Sequence, residues 1–222
     1  MPQNDIQQQL LQISDHYNAL AKAHGYSHHA VQQSSVETQE RRFQILLEGF
    51  PEFQHKKILD FGCGAGHLLG LLKRVGFAGE YVGYDLSAEL LKLARENHPE
   101  GRFELRNILQ ERIPERFDLV FISGVFNNDI TCNQSFLQDI LRLLFAVTDE
   151  GLAFNCLSHY VDYKAEGLYY FNPAEVFVFC KEELTPMVSL RHDYEIKAGV
   201  VPFEFSCYLK QTAHTPRKGN YD

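Results

Sequence analysis

Several features are missing from this chain, and each absence narrows what it can be. No apolar run approaches the roughly 20 residues that a bilayer-spanning helix needs. The opening MPQNDIQQQLLQ lacks a basic stretch and a long apolar stretch, so it reads as something other than a secretory signal. The cysteines Cys63, Cys132, Cys156, Cys180 and Cys207 are odd in number, scattered, and form no CxxC pair. That excludes a disulfide framework or a zinc ribbon and reads as reduced thiols in a cytoplasmic protein. An excess of basic residues is lacking too. The net charge of −8 argues against broad binding to nucleic-acid backbones and gives no reason to expect membrane-surface attachment. No internal repeat or low-complexity linker is present.

What remains is ordinary globular material. Apolar residues make up 45% and charged residues 23% of 222 residues, enough for one domain with a sizeable core. Histidines are frequent, and His24, His28 and His29 cluster in HGYSHH. Gly25 and Ser27 imply a loop there, with no nearby cysteine or carboxylate to complete a ligand set, so no metal is expected.

Residues 4–50 read as helical, broken by a loop over 25–35. Ile6, Leu10, Leu11 and Ile13 mark one amphipathic segment; Phe43, Leu46 and Leu47 mark a second. After that, strands are expected at 57–61, 81–84, 102–105, 117–122 and 152–157. Helices are expected at 67–75, after an N-cap at Ser87, and at 136–147. The almost wholly apolar 117–122 run points to a central strand. This alternation implies a doubly wound, mostly parallel α/β sheet with its strand carboxyl ends along one edge, where such folds bind ligands. Asn172-Pro173 should open a helix to about Leu184. Strands at 186–194 and 203–209, around Gly199, should close the sheet with an antiparallel hairpin. Residues from 214 read as a flexible tail.

The most informative stretch is Asp60-Phe61-Gly62-Cys63-Gly64-Ala65-Gly66. Glycines directly after a buried strand permit a left-handed turn and keep side chains out of a ligand's path. A phosphate-cradling loop would need Lys-Ser/Thr after its last glycine, where His67-Leu68 stands. A dinucleotide fingerprint would read GxGxxG, but Gly62, Gly64 and Gly66 read GxGxG. Asp60, two residues before the turn, suits an ammonium or sulfonium better than a pyrophosphate. An NAD-type oxidoreductase is therefore the weaker reading.

DFGCGAGH resembles the first motif of class I S-adenosylmethionine-dependent methyltransferases. VGYDLS is similar to their second motif, and FDLVFISGVFN to their fourth-strand motif. The resemblance runs from about Ile58 to Leu157. Within that superfamily the chain resembles small bacterial methyltransferases of unassigned substrate, through Gln39-Glu40-Arg41-Arg42-Phe43, Ser123–Asn127 and Asp193-Tyr194. The resemblance implies a Rossmann-like fold of seven strands with N-terminal helices, and S-adenosylmethionine as cofactor. Gly62, Cys63, Gly64 and Gly66 would pass the methionine moiety, and Asp60 would help hold its amino group. Asp85 would take the ribose hydroxyls, and Leu86 would pack on adenine. Asn107 and Ile108 would meet the adenine edge. Ser123 and Gly124 would lie beside the methyl, and Arg42 would join the cofactor site. Plainer roles stay open: Asp85 as a helix cap, Asn107 as a turn residue, Cys63 and Leu86 as packing.

The resemblance also implies a small-molecule methyl acceptor, with oxygen or nitrogen methylated. His192, His159 and Tyr194 are the candidate catalytic residues, His192 as a general base with Tyr194 on the same strand face. Asn127, Asn128, Tyr163 and Tyr170 are candidates for the acceptor pocket, beside Tyr160 and Tyr169. The absence of an Asn-Pro-Pro-Tyr-type run after the fourth strand weakens a nucleobase or amide acceptor. Residues 1–50 would form a helical lid, residues 51–213 the methyltransferase domain, and residues 158–185 an insertion over the acceptor site. A non-catalytic S-adenosylmethionine-binding module is the other alternative. Oligomeric state is left open.

Overall fold

Seven strands make one sheet in the order β3-β2-β1-β4-β5-β7-β6 in the computed structural model, which describes residues 3–212. The strands are β1 (Lys57–Phe61), β2 (Glu80–Asp85), β3 (Arg102–Leu105), β4 (Phe117–Ile122), β5 (Thr148–Leu157), β6 (Val188–Arg191) and β7 (Glu204–Lys210). β1 to β5 pair in parallel, while β7 runs antiparallel between β5 and β6. The apolar run at β4 does sit at the centre, buried on both faces as an internal parallel strand requires.

Alternation along the strands sorts the core into two layers. Leu59, Val82, Val120, Ile122 and Phe154 face the layer capped by α5 (Asn133–Ala146) and α6 (Pro173–Phe179). Ile58, Tyr81, Leu119, Phe121 and Ala153 face α2 (Val36–Glu48), α3 (His67–Arg74) and α4 (Ala88–Asn97). This Rossmann-like, doubly wound arrangement sends every strand except β7 toward one edge. Over that edge lies α1 (Gln3–His24), which buries Leu10 and Ala21, packs Ile6, Ile13 and Tyr17 beside them, and adds polar links. Ser14 donates to the Leu86 carbonyl (2.8 Å), and Asn18 accepts from Ser87 Oγ (2.7 Å) and the Glu89 amide (3.2 Å).

The helix boundaries follow local chemistry. Ser87 Oγ accepts from the Leu90 amide at the start of α4. Asn172 accepts from the Ala174 amide ahead of Pro173 in α6, whose last turn widens to a π turn over Cys180–Leu184. α5 begins at Asn133 rather than at 136. The Asn133 side chain is buried; it accepts from the Ile130 amide and donates to the Asn128 carbonyl. The 25–35 loop carries one 3₁₀ turn, His28–Val31.

The last hairpin departs most from the sequence reading. β6 spans four residues instead of the expected 186–194, and 192–203 form a long connection with Gly199 in the left-handed region (φ 74°). His192 and Tyr194 therefore stand on irregular chain, not on one strand face. The tail from 214 lies outside the described residues. No helix among the described residues is long and apolar enough to cross a membrane.

Phe154 is fully buried in β5 and packs edge-on to Phe126, with ring centroids 5.9 Å apart. Phe154→Ala should lower the unfolding free energy by about 3–5 kcal/mol in urea titrations. Tyr160→Ala, at a residue 61% exposed, should change it by under about 0.5 kcal/mol. Equal effects would contradict this layering.

Candidate active site

β1 ends in a turn built by three left-handed glycines: Gly62 (φ 75°), Gly64 (φ 55°) and Gly66 (φ 81°). Residues with a Cβ rarely adopt this geometry, so conformation alone demands glycine here. The space beside each glycine differs. A Cβ on Gly62 would lie 2.3 Å from Val125 Cγ2, and one on Gly64 would lie 2.8 Å from Val31 Cγ1. A Cβ on Gly66 would meet His98 and Phe103 at 3.1 Å. Two valines thus lean over the first two glycines, where the sequence suggested bare main chain. Gly66 serves helix-to-strand packing and does not line the crevice.

Asp85, at the end of β2, stitches this turn to the next loop. Its Oδ2 accepts from the Gly64 amide and its Oδ1 from the Ser87 amide, both at 2.8 Å. Burial pushes its carboxyl up, and these amides, together with that of Leu86, pull it back down. Asp85 therefore caps its loop and also borders the crevice. Each oxygen retains acceptor capacity beyond one amide.

Asp60 is 3% exposed. Strand alternation turns it to the face that carries Tyr81, whose hydroxyl donates to Asp60 Oδ2 at 2.6 Å. Burial raises its pKa to about 7, the Tyr81 hydroxyl opposes the rise, and the Asp85 charge adds to it. Cys63 is buried against Gly83, where any Cβ would lie 2.7 Å from Cys63 Sγ. Burial holds its thiol well above the ordinary range, so the side chain packs and does not act as a nucleophile.

These residues border a crevice enclosing about 1100 Å³ of space, its open mouth included. Asp60, Gly62, Cys63, Gly64, Asp85, Leu86, Asn107, Ile108, Ser123, Gly124 and Asn128 all line it. Asn107 is also a turn residue and a clasp: its Oδ1 accepts from the Leu109 amide, and its Nδ2 donates to Gln7 of α1. Sequence reasoning missed Ser14, Tyr17, Gln33, Gln39 and Arg106, which line the same space. Gln39 opens the Gln-x-x-Arg-Phe element, and that signal could have found it. The α1 residues carry no motif.

Other predicted site residues lie elsewhere. Arg42 does not line the crevice; it pairs with buried Glu204 and donates to Gln33 Oε1 at 2.7 Å. Tyr194 is buried with its hydroxyl on Ser206 Oγ (2.8 Å), and burial carries it far above the ordinary range. His192 packs near Tyr160 and Phe205, with its Nε2 buried and unpartnered, and burial lowers its pKa. His159 sits edge-on to Tyr160. None of these three lines the crevice: His192 and Tyr194 follow β6, which β7 separates from β5, and His159 lies just past the end of β5. Tyr163 is 78% exposed, and the Tyr170 hydroxyl accepts from the Ala165 amide. Asn127 leaves its Oδ1 buried and unpartnered, outside the lining. Residues 158–171 fold back onto the segment after β4. The Tyr169 amide donates to the Asn127 carbonyl, and the Asp129 amide to that of Gly167, both at 2.9 Å.

Known proteins place the chain in a family. The methyltransferase domain family matches residues 52–147. "Putative methyltransferase Rv1506c" of Mycobacterium tuberculosis is 32% identical over 162 residues, covering 70% of this chain and 93% of that protein. Trans-aconitate 2-methyltransferase of Afipia carboxidovorans is 33% identical over 81 residues, only 36% of this chain and 32% of that protein. In fold, magnesium protoporphyrin IX methyltransferase of Synechocystis, solved with bound SAH, superposes with a TM-score of 0.68 at 13% identity. That match covers 91% of this chain and 99% of the other. The chain belongs to the class I S-adenosylmethionine-dependent methyltransferases. That membership removes the oxidoreductase reading.

The raised pKa of Asp60 has a stability consequence with a definite sign. The folded chain holds this proton up to about pH 7, while an unfolded aspartate releases it near 3.8. The folded state binds more protons across that window, so the Asp60 contribution to stability falls as pH rises and levels off above 7. Between pH 5 and 7, wild type should lose about 1.4 kcal/mol per pH unit relative to Asp60→Asn in urea titrations. Parallel pH profiles would show that Asp60 ionises normally.

Proposed function

We propose that this chain transfers a methyl group from S-adenosylmethionine to a small polar acceptor, at oxygen or nitrogen, with the donor held in the crevice over Gly62–Gly64 and Asp85. The observation carrying this reading is the joint placement of the left-handed glycine turn and the Asp85 carboxylate on one crevice at the carboxyl ends of the strands. The residues present fit such a group. Asp85 has free acceptor capacity for paired ribose hydroxyls, Leu86 and Ile108 supply flat apolar walls for a base, and Asp60 stands ready for an ammonium. Asp60 would ionise fully on meeting that ammonium, since a nearby cation lowers a carboxyl pKa.

The cofactor supplies an already activated methyl group; the chain's task is alignment and exclusion of water. Positioning of this kind lowers barriers by about 7–11 kcal/mol. Among the described residues no histidine lines the crevice, so the reading assigns no general base there. A carboxylate oxygen or an unprotonated amine needs none, and the carboxylate acceptor named in trans-aconitate 2-methyltransferase is of that kind. Beside the crevice, sharing Ile13 and Asn128 with it, opens a cleft lined by Gln9, Gln12, His16, Gln32, Asp129 and Glu166. Amides and carboxylates at this mouth favour a polar acceptor that brings its own hydrogen-bonding groups. In this reading residues 1–50 act as the lid, with α1 as its movable part, and residues 158–185 wall the acceptor side. The valines at 31 and 125 shift to admit the methionine tail.

Asp85→Ala should weaken S-adenosylmethionine binding by about 1–3 kcal/mol in calorimetry, because the ribose hydroxyls lose their acceptor. Unchanged affinity would remove Asp85 from the site. With labelled S-adenosylmethionine and a bacterial extract, label should appear in the low-molecular-mass fraction. Label confined to protein or RNA would overturn the small-acceptor reading.

A further inference from the structure

Deep beside the crevice runs a chain of polar groups that the proposed transfer does not use. Glu204, at the start of β7, is 2% exposed in its side chain, and Arg42 of α2 is 10% exposed. Arg42 Nε donates to Glu204 Oε2 at 2.6 Å, and its Nη2 pairs with the same oxygen. Glu204 Oε1 accepts from Asn155 Nδ2 at 3.4 Å, and Asn155 Oδ1 in turn accepts from the Gly124 amide at 2.8 Å. On the other side Arg42 Nη1 donates to Gln33 Oε1 at 2.7 Å. One buried ion pair therefore fixes both Gln33 and Gly124, which line the crevice at the carboxyl end of β4.

The consequence for Gln33 is chemical. A guanidinium can only donate, so the carboxamide oxygen must face Arg42 and the NH₂ must face away from it. That nitrogen lies 3.8 Å from where a Gly124 Cβ would stand, at the crevice wall. At this end the crevice has a carboxylate, Asp60, and no cation. Arg106 is the only arginine or lysine among the described residues that line the space, and it stands beyond β3 with its guanidinium on Glu104 at 2.7 Å. An amino-acid tail lying over Gly62–Gly64 brings an ammonium, which Asp60 can meet, and a carboxylate, which needs a donor.

We propose that Gln33 is that donor, binding the carboxylate of the cofactor's methionine moiety through its carboxamide N–H, and that Arg42 with Glu204 is the positioning pair that sets the amide's orientation. Arg42 thus serves the cofactor at one remove, without touching it. The assignment rests on the placement of the cofactor tail proposed above.

The test compares S-adenosylhomocysteine with its decarboxylated amine, which keeps the ammonium and loses only the carboxylate. By calorimetry, Gln33→Leu should bind S-adenosylhomocysteine about tenfold more weakly and the amine within about twofold of wild type. R42M/E204L removes the ion pair without leaving a lone buried charge, and it should lose the same discrimination. Adding Gln33→Leu to it should cost nothing more. If that double variant does not fold, R42K replaces it: the charge beside Glu204 stays but the planar fork is gone, and discrimination should drop about threefold. Gln33→Leu with unchanged affinity for both ligands, or with equal loss for both, overturns the assignment. A folded positioning variant with wild-type discrimination overturns the role of Arg42. Wild-type protein that binds neither ligand would instead overturn the underlying placement of the cofactor.

Discussion

The hydrogen bond from the Gly64 amide to Asp85 Oδ2 joins the two features on which the site depends. It ties the loop after β1 to the end of β2, so the glycine turn and the carboxylate keep a fixed spacing. The same carboxylate accepts from Ser87, whose hydroxyl caps α4 and also donates to Asn18 of α1. One acid thereby sets the turn, the next helix and the helix that crosses above. An aspartate is needed because two amides from opposite sides converge on it, and a carboxylate offers an oxygen to each with capacity left over.

Above this floor lie α1 and two short connections. α1 joins the floor through buried Leu10 and Ala21, with Ile6, Ile13 and Tyr17 packed beside them, and through single polar links, each worth on the order of 1 kcal/mol net. Val31 ends the 3₁₀ turn and Val125 follows Gly124, which takes a left-handed φ of 76°. These two side chains narrow the passage over Gly62 and Gly64, and both sit on short connecting chain, not on the sheet. The division is physical: strands packed on both faces resist displacement, whereas the connections above them can shift at small cost.

Much of this was legible in the sequence, and the reasons are specific. Patterning located β1, β3 and β4 to the residue: β1 and β4 are short, mostly apolar runs closed by a turn, and β3 alternates charged and apolar residues. The glycine spacing and the acid ending β2 marked the crevice. Arg42 was the instructive error. Its motif pointed to the site, but the partner that captures it, Glu204, lies 162 positions away, and no local pattern carries that pairing. His192 and Tyr194 failed for a related reason: two-residue alternation holds only while the strand lasts, and β6 ends at Arg191. The valines over the glycine turn were invisible because ordinary apolar residues in loops carry no signal of what they cover.

The most direct measurement is a crystal structure of the chain with S-adenosylhomocysteine. The ribose hydroxyls should lie on the Asp85 carboxylate and the amino-acid tail over Gly62 and Gly64, with Val31 and Val125 moved from their present contacts. A nucleoside bound elsewhere, or a ribose facing away from Asp85 with both valines still seated on the turn, would contradict this placement.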